Sequence, residues 1–282
     1  MAWEWRDEAL HIHWFLTTEE QELLSNKTPH GRLGFAVLLK HFQNEGRFPE
    51  HFKDVPHVVL MYLANQIDVP RSSLEDYALD GRTAKRDRKE ILTILGIHRS
   101  TKRDRQALSA TLKTDLLPNN PSFAVLQEFA LAWFKTRFIE PPASEQLERL
   151  IRTTSRDFES HLLHQITAGM TVETKASIDR LLNIPDDNND TEVADDIDEA
   201  SQSLTWLKGQ SGNVSLKSIL QAINRVGCLK QMAIPSLFMA KLPLKWLQKY
   251  HRRAMTESSW ELRRHPEHIR YALVAAFCWQ RQ

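Results

Sequence analysis

The fold is decided by the stretch LANQIDVPRSSLEDY, residues 63–77. Apolar residues at three- and four-residue spacing lead into this stretch, and their spacing predicts one face of a helix. Asp68 stands where the chain must turn, and Asp tolerates the left-handed backbone better than most residues. Pro70 then fixes φ at the start of a second helix. The pattern predicts a helix-turn-helix over residues 56–79, whose second helix could lie in the major groove of duplex DNA.

The two faces of this predicted motif carry different residue types. The side chains expected to point inward are Val59, Leu63, Ala64, Ile67, Leu74 and Tyr77. The side chains expected to point outward are Arg71, Ser72, Ser73, Glu75 and Asp76. A recognition helix reads base edges with such polar groups, so we assign base recognition to four of them. These candidates are Arg71, Ser72, Ser73 and Asp76.

A concentration of positive charge follows directly. Residues 82–105 hold nine lysines and arginines against three acids, a net +6 over 24 residues in a chain whose net charge is only +1. Duplex DNA favours such a run because each neutralised phosphate releases condensed counterions. The candidate DNA contacts in this run are Arg82, Lys85, Arg86, Arg88, Arg99, Lys102 and Arg103. The alternative is a solvated helix face with charge pairs.

Composition favours a helical protein of a reducing compartment. The 282 residues include only 9 glycines, and a low-glycine chain rich in helix formers favours an all-α fold over a turn-dense β architecture. Cys228 and Cys278 are far apart in apolar contexts, which predicts buried, reduced thiols and a cytoplasmic location. No apolar run is long enough to span a membrane, and the N-terminus lacks the order of an export signal.

A second helical unit is predicted over residues 106–184. An amphipathic helix runs from Phe123 to Phe134, Pro141-Pro142 interrupts the chain, and Ser144 caps a further helix. The two helices and the break between them could form a second DNA reader, or the two helices could pack as a pair in a core. The residues that such a reader would direct at DNA are Ser144, Gln146, Arg149, Arg152 and Arg156.

The predicted organisation is a series of helical domains. A first DNA-binding domain spans residues 1–105 and a second spans 106–184. Residues 185–200 form an acidic linker, because acids crowd this stretch and it has no glycine turn of the kind a metal loop needs. A further helical segment, the start of a third domain, occupies residues 201–282.

Six short segments, spread over almost the whole chain, share one resemblance. They are RLGFAV (32–37), GRFP (46–49), the stretch 63–77, GNVSL (212–216), ELRRHP (261–266) and RYALVAAFC (270–278). Together they resemble the N-terminal region of replicative class II transposases, the "Tn-three" family. Similarity over almost the whole chain is far more specific than any single motif.

The resemblance implies a function. In that family, successive N-terminal helical domains recognise the inverted repeats at transposon ends. Catalysis belongs to a later ribonuclease-H-like domain, in which an Asp-Asp-Glu triad holds two magnesium ions. The resemblance therefore implies double-stranded DNA, the transposon inverted repeat, as the partner, in the nucleoid of a bacterium. Because the sequence stops before the catalytic domain, we expect no catalytic residues, no metal site and no cofactor in it.

Two other functions stay open. The helices beyond residue 200, with Trp206, Trp246 and Trp260, could be a protein-interaction module that docks on the rest of a transposase or on a second copy, with only non-specific DNA binding. A stand-alone nuclease with carboxylates in an unrecognised arrangement is the third possibility. The sequence contains no GxxxxGKS/T or GxGxxG phosphate loop and no HExxH motif.

Overall fold

The computed structural model describes residues 7–183, 203–209, 215–232, 234, 239–240 and 242–281. These residues are mostly helical, and the only strands among them are two residues long, which confirms the all-α prediction. No helix in this part of the chain is long and apolar enough to cross a membrane. The stretch 185–200, predicted as an acidic linker, lies outside the described residues.

The helices follow one another with short connections. The first seven are α1 Asp7–Trp14, α2 Thr18–Leu24, α3 Pro29–Glu45, α4 His57–Gln66, α5 Arg82–Ile94, α6 Lys102–Thr111 and α7 Phe123–Lys135. The other described helices are α8 Ser144–Ala168, α9 Val172–Asn183, α10 Leu204–Lys208, α11 Leu216–Gln231, α12 Leu244–Thr256, α13 Ser259–Arg264 and α14 Glu267–Arg281. Shorter 3-10 or π-helical segments lie at Phe52–Asp54, Arg71–Leu74, Leu112–Leu116 and Leu117–Asn119. β1 (His98–Arg99) pairs in parallel with β2 (Ile139–Glu140).

The chain packs as two compact units. The first contains the residues up to Ser109 together with Phe123–Ile151. The second contains Ala110–Ser122 and the described residues from Arg152 onward. This division follows from packing alone, so the functional boundaries predicted above stay predictions.

The core of the first unit is built around α3. Thr28 caps this helix by accepting a hydrogen bond from the Gly31 N–H, and Gly46 ends it with a φ of 72°. Between these ends, residues 33–39 are all buried, and α1, α2, α4 and α5 pack around them. A helix that is apolar on every side is stable only when neighbours cover it, which explains this central position.

Local sequence signals predicted several helix ends. The spacing T-x-x-E over residues 17–20 predicts a capping box, and the structure contains it. The Thr17 hydroxyl accepts from the Glu20 N–H, and the Glu20 carboxylate accepts from the Thr17 N–H at 2.9 Å. Gly96, with a φ of 66°, follows the end of α5. The predicted break at Pro141-Pro142 separates α7 from α8, although Ser144 is the first helical residue and not the cap.

The helix-turn-helix predicted over residues 56–79 is not confirmed. Its first helix is α4, and Asp68 adopts the predicted left-handed corner with a φ of 51°. The predicted second helix is wrong: residues 71–74 form a single 3-10 turn, and the next α-helix begins only at Arg82. Ser73, which we expected on an outward face, is buried.

Tertiary contacts of Tyr77 explain why the segment does not continue as an α-helix. The Tyr77 ring lies directly against Gly34 of α3, and its hydroxyl donates to the Asp87 carboxylate of α5 at 2.8 Å. Leu74 and Tyr77 are both buried, as predicted, and a hydrogen bond from the Tyr77 N–H to the Leu74 carbonyl closes a tight turn between them. Because Leu74 and Tyr77 are both held in the core, the segment does not form the α-helix that its local sequence favours. Ser72 and Ser73 already weaken that local preference.

Replacing Gly34 with alanine is expected to destabilise the first unit by about 1–3 kcal/mol, as overpacking of a core does. A Cβ at this position would lie 2.4 Å from the Tyr77 ring, whose hydroxyl is held by Asp87. Urea denaturation followed by circular dichroism measures the effect. Gly227→Ala is the matched control, because no atom lies within 4 Å of the added methyl group in α11. An equal response of the two variants would contradict the prediction.

The second unit has its own core, centred on α14. Residues 271–278 of this helix are all buried, and α12 packs along it. Trp246, Leu247 and Tyr250 form the inner face of α12. The two cysteines are free, as predicted; Cys278 is buried and Cys228 is half-buried, and burial raises the pKa of both thiols.

Candidate nucleic-acid interface

One face of α5 is a row of exposed cations. The outward side chains are Arg82, Lys85, Arg86 and Lys89, at spacings of three, four and seven residues. The inward side chains are Ala84, Asp87, Ile91 and Leu92, all of them buried. Because these positions follow the helical repeat, the four cations share one side of the helix. We call these four residues the basic row of α5.

The acids of α5 are neutralised on the other side of the helix. Lys27 binds both of them, the Asp87 carboxylate at 3.2 Å and the Glu90 carboxylate at 3.0 Å. Asp87 is only 1% exposed and also accepts the hydrogen bond from Tyr77. Burial raises the pKa of Tyr77 above its ordinary value, and the hydrogen bond to Asp87 raises it further. Arg86 also approaches the Asp87 carboxylate, at 3.9 Å, although 73% of its side chain is exposed. The other three residues of the basic row face solvent with little opposing charge from their own helix.

Arg88 is placed differently from its neighbours. It is half-buried, its guanidinium lies 5.4 Å from the centre of the Phe48 ring, and it donates to the Pro49 carbonyl at 3.4 Å. It lines a cavity of about 350 Å³ together with Arg47, Glu140 and Ser144. The Arg47 guanidinium approaches the Ser144 hydroxyl at 3.4 Å. The structure thus brings together Arg88 and Ser144, which sequence reasoning assigned to separate readers.

Arg99 is held by an ion pair next to this cavity. Its Nε atom lies 3.2 Å from the Glu140 carboxylate, although 68% of its side chain is exposed. Burial raises the pKa of Glu140, while the charges of Arg99 and Arg88 act in the opposite direction. Arg99 is accessible to a ligand, and contact with a phosphate would compete with Glu140.

The other predicted contact residues are mostly at the surface. Arg71, Ser72 and Asp76 are exposed on the turn before α5, and the Asp76 carboxylate lies 3.6 Å from the His30 ring. Lys102 and Arg103 are exposed at the start of α6. On α8, the exposed side chains are Gln146, Arg149, Arg152 and Arg156. The three arginines of α8 share one side of that helix, since their spacing follows the helical repeat.

Sequence reasoning did not include Lys89 and Arg47 among the candidate contacts. Lys89 belongs to the basic row, and its spacing of four residues from Lys85 was the signal that could have found it. Arg47 lies far from the basic run in sequence, and no local pattern placed it beside Ser144. Within the described ranges, no group of three or more His, Cys, Asp or Glu side chains is arranged to hold a metal ion.

Comparisons with known proteins agree with the resemblance drawn from the sequence. Residues 3–154 match the family described as "Domain of unknown function (DUF4158)". The chain is 25% identical over 251 residues to the transposase for transposon Tn1546 of Enterococcus faecium, over 88% of this chain and 24% of that protein. It is 24% identical over 278 residues to the transposase for transposon Tn2501 of Escherichia coli, over 95% of this chain and 26% of that protein.

The chain thus spans about a quarter of the length of these two curated relatives. The family match, in contrast, covers more than half of the chain. Together with the two transposases, it confirms the resemblance to the N-terminal region of a "Tn-three" family transposase. The chain belongs to the DUF4158 family.

Proposed function

We propose that this chain recognises the terminal inverted repeats of a transposon as duplex DNA, as the N-terminal part of a replicative transposase. The observation that carries the proposal is the basic row of α5. Its four exposed cations share one face of the helix, and Lys27 binds the two acids of the helix on the other side. Two relatives that cover most of this chain are transposases for transposons, and such proteins must bind DNA.

The proposed DNA contacts are of two chemical kinds, contacts with phosphates and contacts with base edges. The basic row, with Lys102 and Arg103, supplies phosphate contacts that fix register and give affinity without reading sequence. Arg71, Ser72 and Asp76 are exposed on the turn before α5 and supply groups that can read base edges. The arginines of α8 add a further cationic surface. The proposed recognition needs no metal and no cofactor, and we assign no catalytic step to these residues.

Removing Lys85 and Lys89 is expected to weaken binding to every duplex alike. Each phosphate contact contributes a slope of about 0.9 in log K against log salt, so Lys85→Gln/Lys89→Gln should lower the slope by about 1.8. Fluorescence anisotropy over a salt series, on the terminal repeat and on a scrambled duplex, measures the effect. Lys53→Gln, an exposed lysine on the Phe52–Asp54 turn, is the control.

The unsubstituted chain tests specificity in the same experiment. Specific protein–DNA complexes are typically about 10³–10⁷ times tighter than non-specific ones. A terminal repeat that binds at least about a hundredfold tighter than the scrambled duplex therefore supports the proposal, and equal affinity contradicts it. A salt slope that the double variant leaves unchanged would exclude the basic row as the contact surface.

An assembly function is the second candidate, and one observation favours it. The side chains of Leu216, Ile219, Leu220 and Ile223 on α11 are between 48% and 75% exposed and share one helix face. Exposed apolar stripes of this kind mark contacts with other proteins. Self-association that is insensitive to salt, measured by sedimentation, combined with equal binding of both duplexes, would favour assembly over sequence recognition.

A further inference from the structure

Helix α11 presents one exposed apolar face. The residues of this face, which we call the apolar stripe of α11, are Leu216, Ile219, Leu220, Ile223 and Gly227. Their spacing places all five on one side of the helix over about three turns. The opposite side holds α11 on the second unit, because Leu229 is buried in the core and the Arg225 guanidinium donates to the Gly209 carbonyl at 3.1 Å. The stripe therefore points away from the core of its own unit.

Gly227 suits this stripe to close contact with another helix. Glycine inside a helix lowers its stability relative to alanine, and a Cβ at position 227 would meet no atom within 4 Å. No neighbour in the described part of the chain therefore requires a glycine here. On the exposed side, however, a glycine lets a second helix come close, since the distance between packed helices depends on the side chains at the contact.

The charges of α11 indicate what kind of helix would pack there. The helix contains Lys217, Arg225 and Lys230 and no acid. Lys217 and Lys230 are exposed and lie thirteen residues apart, about 20 Å along the axis. In a contact between two copies of α11, parallel or antiparallel, lysines would meet only lysines, and like charges across an interface repel. Acidic side chains on a partner helix would instead pair with both lysines.

We propose that the apolar stripe of α11 binds an amphipathic helix of a partner protein, with acidic residues beside its apolar face. The apolar side chains supply the contact area, and Gly227 allows the close approach. Lys217 and Lys230 select the charge of the partner and fix its position along α11. This inference rests on the assembly function given above as the second candidate and names the chemistry of the partner. It is independent of the repeat recognition proposed for the first unit.

Two synthetic peptides of about 16 residues test the partner's chemistry. Both carry leucines at helical spacing, and one has glutamates beside them where the other has lysines. Fluorescence anisotropy of the labelled peptides measures their binding to the full chain. The glutamate peptide is expected to bind at least about tenfold tighter at low salt, and Lys217→Glu/Lys230→Glu should reverse this preference. A glutamate peptide that does not bind at about 1 mM, or equal binding of the two peptides, would overturn the proposal.

Substitutions in the stripe test where the glutamate peptide binds. Leu220→Ala/Ile223→Ala is expected to weaken its binding at least about tenfold. The control, Val172→Ala/Leu244→Ala, removes two exposed apolar side chains from α9 and α12 and should leave the affinity unchanged. Gly227→Gln places a long side chain in the stripe and should also weaken binding, although glutamine is the better helix former. Thermal melts verify that the variants fold, and an equal response of the stripe and control variants would overturn the proposal.

Other occupants of the stripe give different results. Self-association of the unsubstituted chain in sedimentation, abolished by Leu220→Ala/Ile223→Ala, would assign the stripe to a second copy. That result would support the assembly function and overturn the acidic partner. Binding of the glutamate peptide only after a Gly/Ser linker replaces residues 186–199 would assign the stripe to this acidic stretch of the same chain. Repeat recognition is measured on duplexes without peptide, so failure of either proposal is seen separately from failure of the other.

Discussion

Asp87→Ala is expected to lower the free energy of unfolding by about 3–5 kcal/mol, the cost of removing one partner from a buried ion pair. Only 10% of the Lys27 side chain is exposed, and its ammonium group lies 4.0 Å from the centre of the Phe35 ring. Without Asp87, this charge keeps only the more exposed Glu90, and the Tyr77 hydroxyl loses its acceptor. A buried donor without a partner adds its own desolvation penalty.

Urea denaturation followed by circular dichroism measures this loss. Asp76→Ala is the control, since its side chain is 74% exposed and such surface substitutions usually change stability by less than about 0.5 kcal/mol. In Lys27→Met/Asp87→Ala no buried ammonium is left behind, so the double variant should be less destabilised than the single one. A loss below about 1 kcal/mol for Asp87→Ala would show that the network does not hold α5 in place.

Trp246→Ala is expected to destabilise the second unit by about 3–5 kcal/mol, as loss of a large core aromatic does. The Trp246 side chain is buried against Phe158 and Tyr250, with ring centres 5.8 and 5.9 Å away. Its indole N–H donates to the Leu117 carbonyl at 2.6 Å. The substitution therefore opens a cavity and removes one of the two hydrogen bonds to the Leu117 carbonyl, which also accepts from the Asn120 N–H at 2.9 Å.

The same denaturation experiment has a matched control on a neighbouring helix. Trp260 is 56% exposed, and the Arg264 guanidinium lies 4.6 Å from its ring centre. Trp260→Ala should therefore cost much less than Trp246→Ala. Comparable losses would mean that burial does not determine the contribution of these two side chains. Trp246→Phe should fall between the two, because it keeps an aromatic ring but loses the hydrogen bond and part of the apolar volume.

Short-range signals predicted the helices well because helix ends depend on neighbouring residues. The Thr17 and Glu20 capping box and the left-handed Asp68 involve contacts within a few positions, and each lies where the sequence predicted it. The second helix of the predicted helix-turn-helix does not form, because the path of its residues depends on contacts with residues that are distant in the sequence. The path of residues 71–77 is set by contacts of Tyr77 with Gly34 and Asp87, which lie 43 and 10 residues away.

The candidate site could likewise be predicted from the sequence only where helical spacing determines the position of a side chain. The outward direction of the basic row follows from helical spacing, and the exposed positions of Arg71 and Arg149 agree with the pattern. The position of Arg88 does not follow from spacing, because Phe48 and Pro49, about 40 residues earlier, hold it.

The two faces of α5 differ in how well they tolerate substitutions. Its inner face is fixed by Asp87, Lys27 and the packing of Ile91, so a change there endangers the fold. Its outer face makes no contribution to the core, and surface substitutions usually cost little stability. Under the proposed function these residues contact phosphates, so their exchange would change the affinity for every duplex alike and leave the choice of sequence to other residues. The strength of binding and the stability of the fold could therefore change independently of each other.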